Sequence, residues 1–311
     1  MTYPLIDADS LRHALDGDTP PLVLDCRVRL NDPEAGAALW RQAHVPGSLH
    51  LDLDRDLSGP RDAGSGSGGR HPLPSHAPFT ATLQRLGVAP EREVVVLDDA
   101  GGQLAAARAW WMLSEWAGHP RVRLLDGGLA AWEGINGDWE VGEGAPPAPS
   151  QWTPDFDDSR FVALEEMASS ASLKVDARAG ERYRGEVEPM DPRAGHIPGA
   201  VNRPCSLNLD DNGRFKSPEA LARELPQALP QEQTQEPLQE QPQEQTQEEL
   251  AGALQQEPGV IAYCGSGVTA CHDILAYRLA GLPTPRLYVG SWSEWSGDSS
   301  RPAETGPANA S

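Results

Sequence analysis

Ile261-Ala262-Tyr263-Cys264-Gly265-Ser266-Gly267-Val268-Thr269-Ala270 reads as a buried strand that delivers one cysteine into a glycine-containing loop, followed by a helix. A short apolar run ended by glycine is the pattern of a strand covered on both faces. The glycines let the backbone fold tightly around the Cys264 sulfur. Loop amides and the positive end of the following helix then face that sulfur, an arrangement that favours thiolate over thiol. Burial as a small hydrophobe is the commoner fate of a free cysteine, but structural cysteines seldom sit between a strand and a Gly-Ser-Gly loop.

The same plan occurs twice along the chain. Leu22-Val23-Leu24-Asp25-Cys26-Arg27, His44-Val45-Pro46-Gly47-Ser48 and the strand Val94-Val95-Val96-Leu97-Asp98-Asp99, leading into Ala105-Ala106-Ala107-Arg108-Ala109-Trp110-Trp111, make up the first copy. Leu173-Lys174-Val175-Asp176-Ala177-Arg178, His196-Ile197-Pro198-Gly199-Ala200 and Val260 to Cys264 with its helix make up the second. Asp25 and His44 are 19 positions apart, Asp176 and His196 20. Strand-like runs alternating with helical patterns predict an α/β fold: two tandem domains, each a parallel sheet flanked by helices. The expected division is 1–141, a Pro/Gly-rich linker over 142–158, and 159–311, with two separate cores. Two insertions interrupt the plan. Arg61 to Arg70, rich in Gly and Ser, is expected to be a flexible loop, and the Gln/Glu/Pro-rich tract 227–256 is too poor in apolar residues to order itself.

Composition narrows the partners. The 311 residues carry 46 acidic and 25 basic side chains, a formal charge of −21, with no basic cluster. Nucleic acid and membrane surfaces are therefore not expected partners. The N-terminus has neither a basic nor an apolar leader region, and no run is long enough to span a bilayer, so the expected location is cytoplasmic. Cys26, Cys205, Cys264 and Cys271 show no C-x-x-C or zinc spacing, so reduced thiols and no metal or cofactor are expected. Cys271, seven residues after Cys264, is read as buried in preference to a resolving thiol.

These motifs resemble the two-domain rhodanese family, the thiosulfate and 3-mercaptopyruvate sulfurtransferases, over nearly the whole chain. His44-Val45-Pro46-Gly47, Gly195-His196-Ile197-Pro198-Gly199-Ala200 and Gly290-Ser291-Trp292-Ser293-Glu294-Trp295 are similar to the family's signatures. Cys264-Gly265-Ser266-Gly267-Val268-Thr269 resembles the active loop of the mercaptopyruvate branch, the thiosulfate branch carrying Arg-Lys where this chain has Gly265-Ser266. Asp98 stands at the position of Cys264 in the first half, which implies that the N-terminal domain is catalytically silent.

The resemblance implies a sulfurtransferase. Cys264 would take a sulfane sulfur from 3-mercaptopyruvate or thiosulfate as a persulfide and pass it to cyanide or to a thiol acceptor, a low-molecular-weight thiol or thioredoxin. The amides of Gly265, Gly267, Val268 and Thr269, with the Ser266 and Thr269 hydroxyls, would stabilise the sulfur anion. Arg182 matches the family's carboxylate-binding arginine, its planar fork suiting the small anionic donor, with the neighbouring Arg184 as its rival. The family's second arginine follows a Glu-Pro pair. Here Glu188-Pro189-Met190-Asp191-Pro192-Arg193 puts methionine there, and only a register shift would bring Arg193 into the role. Ser266, His71 and Asp54 resemble the branch's proton relay. His44 and His196, in His-x-Pro-Gly turns, and Asp25, Arg27, Asp176 and Arg178 read as structural. Two other readings are open: thiosulfate:cyanide transfer as the main activity, and a non-enzymatic rhodanese binding module. A phosphatase would need Cys-x5-Arg, and position 270 is alanine.

Overall fold

A computed structural model of the chain describes residues 3–61, 68–144, 147–227 and 259–307. Ten strands form two five-stranded sheets. In the first, β1 (Leu5–Ile6), β2 (Leu22–Asp25), β3 (Leu49–His50), β4 (Val94–Leu97) and β5 (Val122–Leu125) lie in the order β1-β5-β4-β2-β3. In the second, β6 (Phe161–Val162), β7 (Leu173–Asp176), β8 (Val201–Asn202), β9 (Val260–Tyr263) and β10 (Arg286–Tyr288) repeat it as β6-β10-β9-β7-β8. All pairings are parallel. The registers repeat as well: Asp25 pairs with Leu97 and Asp176 with Tyr263, so Asp98 and Cys264 leave equivalent strand ends. Central strands such as β4 are buried throughout, as expected of parallel strands covered by helices.

The packing differs from the two separate cores that the repeat suggests. One apolar cluster runs through both halves, joining Leu24, Val96, Trp110 and Trp116 to Ala262, Ile274, Leu275 and Leu287, and each half adds only a smaller outer cluster. The cause is local. Every residue of helix Ala105–Trp111 is buried, and in helix Ala270–Leu279 only Arg278 is not. A helix with no polar face has to be covered on all sides, and these two, mostly apolar and each following a strand-end loop, pack against each other.

Each structural turn is held the same way. Arg27 grips Asp25 and the Ala43 carbonyl (2.7 Å), and Arg178 grips Asp176 and the Gly195 carbonyl (2.7 Å). His44 bonds the Trp40 carbonyl at 2.7 Å and His196 the Tyr183 carbonyl at 2.8 Å through Nδ1. The tract 227–256 lies, apart from Gln227, outside the described residues, as do 62–67 of the Gly/Ser-rich insertion. The end of that insertion is not loose: Gly68 to Arg70 is docked on the other half, as described next. Among the described residues no helix is long and apolar enough to cross a membrane, and no cluster of His, Cys, Asp and Glu is arranged to hold a metal.

Candidate active site

Cys264 leaves the end of β9 and is only 2% exposed. Its loop is fixed from behind by the segment that follows β10. The Cys264 amide donates to Ser291 Oγ (3.1 Å), and the Cys264 and Gly265 carbonyls accept from the amides of Trp292 and Ser293 (2.9 Å each). Ser291 adopts φ 53°, a left-handed conformation unusual for serine. Its hydroxyl meanwhile donates to the Tyr288 carbonyl at 2.9 Å, so the strained residue is held at both ends. Gly267 is required as glycine, since at φ +72° a Cβ would stand 2.4 Å from the Val289 carbonyl oxygen. Held in this way, the amides of Gly265 to Thr269 meet no acceptor among the described residues.

The first half shows what such a loop does with an anion. The Asp98 carboxylate, fully buried, accepts from the amides of Ala100 (2.9 Å), Gly102 (2.8 Å), Leu104 (3.1 Å) and Ala106 (3.3 Å). Desolvation pushes its pKa up and these four donors pull it down. The nest is filled by the chain's own carboxylate, whereas the loop after Cys264 keeps amides without an acceptor among the described residues.

Across the interface, Gly68-Gly69-Arg70-His71 lies on the segment that holds the cysteine loop. The Gly68 amide donates to Glu294 Oε1 (2.6 Å) and the Arg70 amide to Ser293 Oγ (3.0 Å). Gly69, at φ +66°, passes so close that a Cβ would be 2.4 Å from the Gly290 carbonyl oxygen. His71 is thereby brought to Ser266, Nδ1 to Oγ 2.8 Å, while its Nε2 lies 3.6 Å from Asp54 Oδ1. Asp54 is also paired with Arg61 at 3.0 Å. Burial, then the charges of Arg108, Arg61 and Arg70, lower the His71 pKa to about 3, so the ring is neutral near pH 7. A carboxylate beside Nε2 favours the proton there, which leaves Nδ1 to accept from the Ser266 hydroxyl.

Arg108 ties the two halves together. Fully buried, it donates to the carbonyls of Leu57, His71, Pro72 and, across the interface, Gly267 (3.0 Å). Burial lowers its pKa, with the thiols of Cys271 and Cys264 opposing.

Two guanidinium groups face Gly265. Arg182 donates from Nη2 to Glu188 Oε1 (2.7 Å) and Asp191 Oδ2 (3.2 Å), and Arg70 donates from Nη1 to Asp191 Oδ1. A Cβ placed on Gly265 would be 2.9 Å from Arg70 Nη2 and 3.5 Å from Arg182 Nη1. Arg193 is used elsewhere, on the carbonyls of Trp295, Ser296, Asp298 and Arg301, so no register shift brings it to the site. Thr269 turns its hydroxyl to Cys205. Cys271 is buried against the Gly267 carbonyl (3.5 Å), and burial raises its pKa.

Arg70, Arg108, Asp191 and Ser291 were not singled out as site residues in the sequence. Arg108 carried a signal, a lone arginine in an otherwise apolar helix. Arg70 had only its position beside His71.

The profile of the Rhodanese-like domain matches the chain twice, over residues 7–135 and 162–298. The chain belongs to the rhodanese family. This rhodanese is 43% identical over 291 residues to a protein of Pseudomonas aeruginosa named "Probable 3-mercaptopyruvate sulfurtransferase", covering 92% of each chain. It is 32% identical to the thiosulfate sulfurtransferase of Gallus gallus, over 82% of this chain and 79% of that one. Among solved structures, the 3-mercaptopyruvate sulfurtransferase from Leishmania major superposes with a TM-score of 0.74 at 27% identity, covering 94% of this rhodanese and 74% of the other chain.

Proposed function

We propose that the protein is a sulfurtransferase that moves sulfur from 3-mercaptopyruvate to a thiol through a persulfide on Cys264. The observation that carries this reading is the Cys264 loop itself: a cysteine among amides without acceptors, where the matching loop of the first half holds a carboxylate. The Cys264 thiolate attacks the donor sulfur, forming the S–S bond of the persulfide. The carbon–sulfur bond breaks, its electron pair leaving on carbon as the pyruvate enolate, which then takes up a proton. Loop amides stabilise the anion on sulfur before and after the transfer.

The hydrogen bond between Ser266 and His71 favours mercaptopyruvate over thiosulfate as donor. Sulfite leaves without needing a proton, whereas the pyruvate enolate has to be protonated, and a Ser266–His71 relay next to Cys264 serves only the second case. Arg182 supplies the charge for the donor's carboxylate. The acceptor is a small thiol or a thiol protein such as thioredoxin, either of which attacks the outer sulfur and releases Cys264.

Mass spectrometry after incubation with 3-mercaptopyruvate tests the reading. The expected result is the gain of one sulfur atom on the Cys264 peptide, lost on adding a thiol, and no transfer by Cys264→Ser. Steady turnover by Cys264→Ser would overturn the persulfide mechanism.

A further inference from the structure

Arg70 reaches the Cys264 loop from the opposite half of the molecule, and the way its hydrogen bonds are used leaves one edge of its guanidinium available. Nη1 is taken by Asp191. Nη2 has no acceptor among the described residues, and Nε is buried without one. Arg182 repeats this: Nη2 carries both carboxylate contacts, Nη1 has no acceptor among the described residues, and Nε is buried and unpaired. The unused atoms are the ones nearest Gly265, Nη2 of Arg70 and Nη1 of Arg182. Buried donors without acceptors are rare in folded proteins; each fork has one in its Nε, and the further unused donors, Nη2 of Arg70 and Nη1 of Arg182, converge on Gly265, which marks where an anion is bound. Asp191 holds both forks by one atom each and so aims the remaining donors at the same place. The charges also fit. Arg70, Arg178 and Arg182 are matched by Asp176, Glu188 and Asp191, so the cluster is neutral before the donor arrives.

We propose that Arg70 is a second donor-binding cation, which with Arg182 clamps the anionic head of the sulfur donor, a carboxylate or sulfonate, over Gly265 beside the nucleophile. The donor site is then completed only when the segment Gly68–His71 is docked, and the two halves share one substrate. This rests on the sulfurtransferase reading for the identity of the donor, but the anion clamp can be measured without turnover.

The experiment uses the full chain with Arg70→Gln, Arg70→Lys and Arg182→Gln. The Gly68 and Arg70 amides still dock the loop on Glu294 and Ser293 when the Arg70–Asp191 contact is altered, so the fold should survive these changes. Cys264 is alkylated in parallel with iodoacetate, an anion, and iodoacetamide, its neutral analogue. The ratio of the two rates reads the clamp and cancels changes in thiol reactivity. The expected result is a fall in the iodoacetate:iodoacetamide ratio of about 10- to 100-fold in Arg70→Gln, the scale of one charge-assisted bond. KM for 3-mercaptopyruvate should rise by the same factor with kcat changed less than about threefold. Arg70→Lys, which keeps the charge and loses the fork, should fall between. An unchanged ratio and KM in Arg70→Gln, with a collapse in Arg182→Gln, would overturn the proposal. No sulfur transfer by the wild type together with a lowered ratio in Arg70→Gln would reject the sulfurtransferase reading and leave the clamp standing.

Discussion

Asp98 and Cys264 occupy equivalent places in two copies of one strand–loop–helix unit, and their surroundings assign them opposite tasks. Asp98 takes up four amides of its own loop and of the helix that follows. Cys264 stands among amides without acceptors, beside Ser266 and His71. The ring of His71 is neutral because burial and three nearby arginines oppose its charge. An anionic donor would offset those arginines and make the ring a better base at the moment a proton has to move. His71→Asn is accordingly expected to lower kcat with 3-mercaptopyruvate by about 100-fold or more, and to leave thiosulfate turnover within about threefold. Equal losses with both donors would show that His71 only supports the loop. At this scale the sequence supplied the cysteine from its local pattern, but Ser266, His71, Asp54 and Arg182 came from resemblance. Their meeting depends on contacts between residues as far apart as 195 positions. Arg70 could not be read at all, because its partners Asp191 and Ser293 belong to the other half.

Strands and helices were legible from their apolar periods, and the order β1-β5-β4-β2-β3 followed by its copy agrees with the repeat seen in the sequence. The Gly/Ser-rich segment was the misleading element. Read by composition, Arg61 to Arg70 is a loose loop, yet Gly68 to Arg70 is pinned by hydrogen bonds that its amides donate to Glu294 and Ser293. Glycine there serves close approach and not freedom: the chain passes against the Gly290 carbonyl at a φ that side chains avoid. Gly69→Ala should push the segment off its dock, moving Arg70 and His71 together. We expect a fall in kcat/KM of about 100-fold, the scale of a small misplacement of reacting groups. Thermal stability should change little, because the segment lies outside the main core. A variant with full activity would show that the docked arrangement is not the active one.

The molecule as a whole is less divided than its repeat suggests. The largest apolar cluster belongs to both halves, and Arg108 bonds carbonyls on both sides of the interface. What sequence could not show was which faces of the two units meet, although helix Ala105–Trp111, apolar apart from Arg108, already lacked a solvent side. A shared core predicts one cooperative unfolding transition for both halves, and two resolved transitions in calorimetry would contradict it. That transition should shift with pH. His71 and His272, each lowered to about 3, take up protons on unfolding below pH 6.5, whereas Asp273, raised to about 7, releases one above its ordinary 3.8. Two protons gained against one lost leaves a net uptake of one between pH 4 and 6. Stability contributed by these three groups therefore rises with pH there and is lost as pH falls, by about 1.4 kcal/mol per unit. His272→Asn should flatten this slope.

The dock between Gly68–Arg70 and the Ser291 segment has a further consequence for how such a protein can change over time. In the proposed site, Arg70 and His71 come from one copy of the duplicated unit, and Cys264 and Arg182 from the other. If the proposed clamp and relay hold, a first copy that carries Asp98 in place of the cysteine can alter Arg70 or His71, and so retune the donor, without touching Cys264. The half without the cysteine loop is the adjustable one.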